Sequence, residues 1–423
     1  MLAEYAIMNT SKIPSGSLKG KTEQLTMKSK LSPLGILAFV MVVNALSYGT
    51  IVPLMYPYAA RFGINALGMS FLVTSFSIAQ FFATPILGRL SDKYGRKPVL
   101  IFCLLGTAIS LGVFALARSV AVLFISRIID GASGGNISVA QAIISDSTKG
   151  TERAKAFGIL GASFGFGFLV GPALGGLLSQ YSLTAPFWFS AVLALLAVPL
   201  AHFFLPETLS PELKKNPSSE PLFKFQSIFE ALFTPFTGIV LLVSFFAATA
   251  LHAMFIGFQA FTTDVLRMST LQIGITFSSL GLIGMFMQMV GIGPVLKRFT
   301  SKKKILIASL SLCAVSMGLS FLSNSILPFF ASMMFFGVVS AFRDPMISAL
   351  LSERTKAEDQ GAIMGINQSY VSLGQIVGPL AAGFVAAYSV RYAFLVSAGF
   401  LILALIASRW LFLPKAEQKV LDI

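Results

Sequence analysis

Gly88-Arg89-Leu90-Ser91-Asp92-Lys93-Tyr94-Gly95-Arg96-Lys97-Pro98 separates two long apolar runs, Met69 to Leu87 and Val99 to Ala117. One carboxylate and four cations within eleven residues, set between segments of membrane length, read as a cytoplasmic loop joining two spanning helices. Gly88 and Gly95 allow the backbone to turn sharply. Asp92 can pair with Arg96 or cap a neighbouring helix, and Pro98 is placed to open the next helix at its first turn. Two readings stay open: a solvated basic loop that only sets topology, and a movable latch.

The flanking runs are representative of the whole. Of 423 residues, 55% are hydrophobic, 11% are charged and 40 are phenylalanine, whereas a soluble domain carries about 25% charged residues. The composition is that of an integral membrane protein. A spanning helix takes about 20 apolar residues, so twelve would use roughly 240 and leave sequence for short loops and a linker. Helices are expected rather than barrel strands, because the apolar runs are continuous and lack a two-residue alternation. The first thirty residues hold Lys12, Lys19, Lys21, Lys28 and Lys30 and show no apolar run ahead of a cleavage site, so no removable signal peptide is expected.

The net charge of +14 would suit a nucleic-acid ligand, but its placement argues otherwise. With the chain laid out in alternating loops, only Arg61, Arg118, Arg267 and Arg391 fall on the side away from the opening stretch, and Arg127 and Arg343 lie inside spans. Such asymmetry predicts cytoplasmic termini and an even number of spans. Cys103 and Cys313 sit in apolar runs as small buried hydrophobes. No disulfide is expected, and nothing has metal-ligand spacing. No G-x-x-x-x-G-K-[ST] phosphate loop appears, so neither ATP nor any other cofactor is expected, and the chain does not read as an enzyme.

The spans read 34–57, 69–88, 98–117, 120–143, 157–179 and 186–206, then 235–261, 271–294, 303–323, 326–349, 361–385 and 390–412. Leu205-Pro206-Glu207-Thr208 leads into a polar stretch with three prolines and paired lysines. The expected organisation is a tail (1–33), a six-helix bundle (34–206), a cytoplasmic linker (207–234), a second six-helix bundle (235–412) and a short tail (413–423). The bundles repeat. A shift of 207 places lays Gly158 on Gly365, Gly167 on Gly374, Gly171 on Gly378, Pro172 on Pro379 and Gly176 on Gly383. Two such halves imply a pseudo-two-fold axis along the membrane normal, with any substrate held near mid-membrane between them. The opening stretch has only a degraded partner, Gly293 to Lys304, which keeps glycine and cations but has no aspartate.

Several residues stand out within the spans. Gly158, Gly167, Gly171, Pro172, Gly175 and Gly176 give the fifth span a face bare of side chains, so another helix can approach closely. Pro172 adds a kink. This is either a packing face or part of a moving device. On the fourth span, Arg127 and Asp130 are three apart and can pair. Ionisable groups at membrane depth point to function; desolvation and the arginine act on the proton affinity of Asp130 in opposite directions. A titrating pair and a permanent structural pair both fit. Asn44, Tyr48, Gln80 and Gln141 in the first half, with Gln259, Gln288, Asn367 and Gln368 in the second, are candidates to line a substrate cavity. Each is equally explicable as an interhelical hydrogen bond. Arg343-Asp344-Pro345 on the tenth span is a second charged pair, read as a gate or an anchor, and His202 and His252 receive no role.

The spelling G-x-L-S-D-K-Y-G-R-K-P resembles the signature loop between the second and third helices of the major facilitator superfamily. From about residue 34 to 412 the chain is similar to the twelve-span drug/proton antiporter group of that family. The resemblance implies that Gly88, Asp92, Gly95 and Arg96 engage neighbouring helices and hold one of two alternating states. The Gly158-to-Gly176 pattern resembles the signature of proton-coupled drug exporters, and Arg127 with Gly131 resembles the fourth-helix motif, implying that Arg127 tunes proton transfer. The first span closely resembles that of tetracycline exporters but has Asn44 where those carry an aspartate. The resemblance thus implies export of a small amphipathic compound against entering protons, by a monomer whose partners are substrate, protons and the lipid bilayer. The alternatives are a metabolite or siderophore carrier, and a non-transporting membrane receptor or scaffold with the same fold.

Overall fold

The computed structural model describes residues 33–209, 225–355 and 360–412; the expected tails and most of the linker lie outside them. Twelve helices are long and apolar enough to cross a membrane. They are α1 Leu34–Phe62, α2 Ala66–Tyr94, α3 Arg96–Ala115, α4 Val120–Ser147, α5 Lys155–Leu178 and α6 Ala185–Phe204, then α7 Thr237–Val265, α8 Thr270–Arg298, α9 Lys302–Leu322, α10 Ile326–Glu353, α11 Gln360–Ala386 and α12 Tyr392–Arg409. The expected all-α polytopic fold of two six-helix bundles is therefore what forms. Within each half, short connections reverse the chain between successive spans. Odd-numbered helices leave the end rich in Lys and Arg, here the basic end, and even-numbered helices return to it from the outer end. The segment expected as linker also contains a helix, Phe225–Phe233, with Phe229 and Phe233 exposed.

The stretch expected as a loop is mostly helix. α2 runs on to Tyr94 and α3 begins at Arg96, leaving Gly95 alone at the corner with φ +119°. Gly88 stays inside α2 and faces open space. Only a residue that tolerates positive φ can make so abrupt a turn, and the charged residues continue the helix because its end has left the apolar layer. At the outer end, Asn65 caps α2 by accepting from the amide of Gly68 at 2.9 Å, and Ser269 with Gln272 forms a capping box on α8.

The repeat survives in the irregularities. α4 breaks at Ser133–Gly135 and α10 at Ala341–Phe342, positions that coincide under the shift of 207. α1 passes through a 3-10 turn at Val52–Leu54, and α7 through a π turn at Phe261–Val265 that begins, under the same shift, at the place of Leu54.

The halves meet at one end only. Gly176 of α5 lies where a Cβ would stand 2.9 Å from Leu271 Cα of α8, and its repeat mate Gly383 of α11 sits as close to Ser70 of α2. Pro172 cannot donate to the carbonyl of Phe168, and Gly281 of α8 approaches that oxygen, where a Cβ would sit 2.8 Å away. The amide of Ala173 donates to Ser278 Oγ at 2.9 Å, Ser179 Oγ to Thr270 Oγ1 at 2.7 Å, and Tyr56 to the carboxylate of Asp264. All of these lie in the outer half of the molecule. One apolar core there draws on both bundles, joining Tyr56, Met69 and Leu72 to Ile256, Ala260 and Ala382. Towards the basic end each bundle has its own core, Gly158, Gly161, Gly284 and Gly365 face open space, and the halves stand apart.

Candidate functional site

The opening stretch forms a corner network on the basic end of the first half. Arg96 Nε donates to Asp146 Oδ2 at 2.8 Å, and Arg96 NH1 reaches Ser91 Oγ at 2.7 Å and Asp92 Oδ1 at 2.5 Å. The Asp92–Arg96 pair expected from spacing is present. Its other partners were not foreseen: Asp146 comes from the end of α4, and Glu207, just past α6, accepts from the backbone amides of Arg96 at 2.9 Å and Lys97 at 3.2 Å. Two carboxylates on one guanidinium and a third on the exposed amides at the start of α3 tie four helix ends together.

The glycine face of α5 divides its labour. Gly167, Gly171 and Gly175 press on Ala45, Gly49 and Thr50 of α1, so close that a Cβ would stand 2.2–2.7 Å from the α1 backbone. Pro172 and Gly176 instead face α8 across the two halves. Gly158 packs on nothing within 4 Å. One helix thus carries a fixed contact with its own bundle and a separate contact with the other.

Arg127 and Asp130 pair at 3.0 Å and are sealed, at 1% and 5% exposure. The guanidinium lies over the Phe114 ring at 4.8 Å, a cation–π contact worth ~0.5–2 kcal/mol. Its Nε and NH2 have no hydrogen-bond partner. The hydroxyls of Ser110 and Thr107 on α3 face the Asp130 carboxylate. The pair is therefore held inside the first bundle, between α3 and α4, and not on an open cavity wall. Tyr48 lies within electrostatic reach of both charges, and its half-buried ring meets Phe76 of α2 and Phe168 of α5. The pair sits one layer behind Tyr48.

The other candidate cavity groups separate into three sets. Asn44 is buried and its Oδ1 accepts from Asn136 Nδ2 at 2.9 Å, while Gln80 donates to the carbonyl of Gly134 at 3.3 Å; both brace the break in α4. Gln259 and Asn367 each have a buried side-chain oxygen with no partner. Gln141, Gln288 and Gln368 are exposed in the half of the molecule nearer the basic end, where the bundles part. Arg343 and Asp344 pair at 2.7 Å just past the break in α10. His202 lies exposed at the end of α6 against Phe203, and His252 of α7 contacts the carbonyl of Ala248 through Nδ1 at 2.9 Å. No group of three or more metal-ligating side chains gathers among the described residues.

A family model described as Major Facilitator Superfamily matches residues 37–299 and 287–422. The tetracycline resistance protein, class H, of Pasteurella multocida is 30% identical over 374 residues, covering 84% of this chain and 90% of that protein. The class C tetracycline resistance protein of Escherichia coli is 31% identical over 365 residues, 84% and 89% of the two chains. Multidrug resistance protein 2 of Bacillus subtilis (strain 168) is 28% identical over 363 residues, 85% and 90%. Among solved structures, the nucleoside transporter NupG superposes with a TM-score of 0.75 at 16% identity, over 91% of this chain and 100% of its own, a likeness of fold alone.

Proposed function

Because the chain belongs to the Major Facilitator Superfamily and is one of its transporters, we propose that it exports a small drug-like or amphipathic compound in exchange for protons, by alternating access. The observation that carries this reading is the one-sided closure of the two bundles. Assigning the basic end to the cytoplasm by the positive-inside rule makes the conformer open to the cell interior and shut towards the outside, in the inner membrane. Relatives named for tetracycline and multidrug resistance favour outward over inward transport. The proton gradient supplies the energy, with no cofactor and no ATP, and a monomer contains both halves of the chamber.

In this cycle the compound enters the chamber from the cytoplasm, and the basic ends then close while the outer contacts of α5 with α8 and of α2 with α11 part. Protonation of Asp130 removes the countercharge of Arg127. Leaving a buried guanidinium unpaired costs ~3–5 kcal/mol, enough to reweight two conformers about a hundredfold or more. Tyr48, between this pair and the chamber, carries the change outward. Deprotonation towards the cytoplasm restores the pair.

The test has two stages. A drug-hypersensitive strain expressing the chain is screened against a compound panel that includes tetracycline. A hit is then followed in proteoliposomes with an imposed pH gradient. Asp130→Asn should abolish gradient-driven movement while downhill exchange persists. Unchanged gradient-driven transport in that variant would remove Asp130 from the mechanism.

A further inference from the structure

Charge in the second half is presented differently from charge in the first. Arg343 and Asp344 lie nine residues from the basic end of α10, roughly 14 Å along the helix. Arg343 Nε donates to Asp344 Oδ1 at 2.7 Å and NH2 to Oδ2 at 3.0 Å. The two members are unequally shown: the Arg343 side chain is 5% exposed, with NH1 enclosed and unpartnered, whereas the Asp344 side chain is 70% exposed. The guanidinium faces protein and the carboxylate faces open space.

That space is the chamber. Gly337, just before the break in α10, is where α10 meets α8, a Cβ there standing 3.3–3.4 Å from Leu280 and Ile283. Beyond that point one side of α8 is uncovered: Gly284 and Gly293 face open space and Phe286 and Met289 are exposed, while Val295 and Leu296 still pack on the second-half core. Past the break, Asp344, Ser348 and Ser352 form a polar stripe at four-residue spacing, which suits water and not lipid. His252 of α7 is within electrostatic reach of both members of the pair. Under the shift of 207, Asp344 and Ser348 fall on Ile137 and Gln141, both exposed on α4, and Arg343 falls on Asn136. The same chamber position is apolar in one half and acidic in the other.

We propose that Asp344 is the group in the chamber that binds the positive end of a cationic substrate, with Arg343 a buried support that fixes its orientation. The proposal rests on the transport reading for the presence of a substrate in the chamber. A bidentate arginine engages one lone pair on each carboxylate oxygen and leaves the others to the open side. An anion would meet the carboxylate first and has no path to Arg343.

The test uses the purified full chain and tetraphenylphosphonium, whose binding needs no gradient. Wild type should bind it, Asp344→Asn should weaken binding at least about tenfold, and Asp344→Glu should restore most of the affinity. The double variant Arg343→Gln/Asp344→Asn, which orphans no buried cation, guards against misfolding and should bind as weakly as Asp344→Asn. Absence of binding by wild type, or unchanged affinity in both Asn variants, would overturn the assignment. This affinity pattern without proton-driven export would support the assignment and sink the transport reading; gradient-driven export of a neutral compound alone, indifferent to Asp344→Asn, would do the reverse.

Discussion

Replacing Tyr56 by Phe tests the one-sided closure directly. Tyr56 is buried at the outer end of α1, and its hydroxyl donates to the exposed carboxylate of Asp264 on α7, in the other half. Phenylalanine keeps the ring packing and deletes only the hydroxyl. A hydrogen bond to a charged group contributes ~1.5–3 kcal/mol. Asp264 rehydrates easily once released, so the low end of that range applies. The bond exists only while the outer end is shut, so its loss should raise the outward-open population about tenfold. The contacts of Ser179 with Thr270 and of Ala173 with Ser278 remain, which limits the opening. The assay is pulsed electron resonance between spin labels at Arg61→Cys and Tyr388→Cys on the outer end, and at Lys93→Cys and Lys304→Cys on the basic end, with Cys103 and Cys313 replaced by Ala. Longer outer distances and shorter basic-end distances should grow together. Unchanged distributions, or lengthening at both ends at once, would refute the reasoning.

Gly171→Ala forces a Cβ within 2.7 Å of the backbone of Gly49 and Thr50 and should cost ~1–3 kcal/mol, read as a lower melting temperature, whereas Gly158→Ala meets open space and should melt no lower than wild type. Gly95→Ala places a Cβ 2.4 Å from Glu207 Oε2 at φ +119° and should cost ~1–3 kcal/mol, with faster hydrogen exchange at the start of α3. Both comparisons use purified protein in one detergent.

Helix number and the repeat were legible because they depend on how long the chain stays apolar, whereas helix ends were not, since α2 runs on through its charged residues to Tyr94. Spacing was equally sufficient for the Asp92–Arg96 and Arg127–Asp130 pairs, which are local on one helix. What spacing could not assign was the face each side chain presents. Lipid and bundle interior are both apolar, so hydropathy gives the same value to Asp130, sealed against α3, and to Asp344, open to the chamber. The Tyr56–Asp264 bond joins residues 208 positions apart, each looking like an ordinary helix end. Asp146 and Glu207 likewise sit in unremarkable polar stretches until the fold brings them to Arg96. The breaks in α4 and α10 had a partial signal in Gly134-Gly135, but in α10 the same break falls at Ala341-Phe342, with no glycine to mark it.

A joint one residue long has mechanical consequences for α2. Its outer portion bears on α11, with Ser70 against Gly383 and Phe71 edge-on to Phe384 at 5.8 Å. Its far end is bolted through Gly95 and Arg96 to α3, α4 and the end of α6. Such a member cannot hinge freely. It behaves as a crankshaft, and a tilt of a few degrees where the halves touch would be delivered as displacement some forty ångströms away (~1.5 Å per residue along a 29-residue helix). A longer, softer corner would absorb that stroke, which is a reason for the chain to make its sharpest bend with a single glycine.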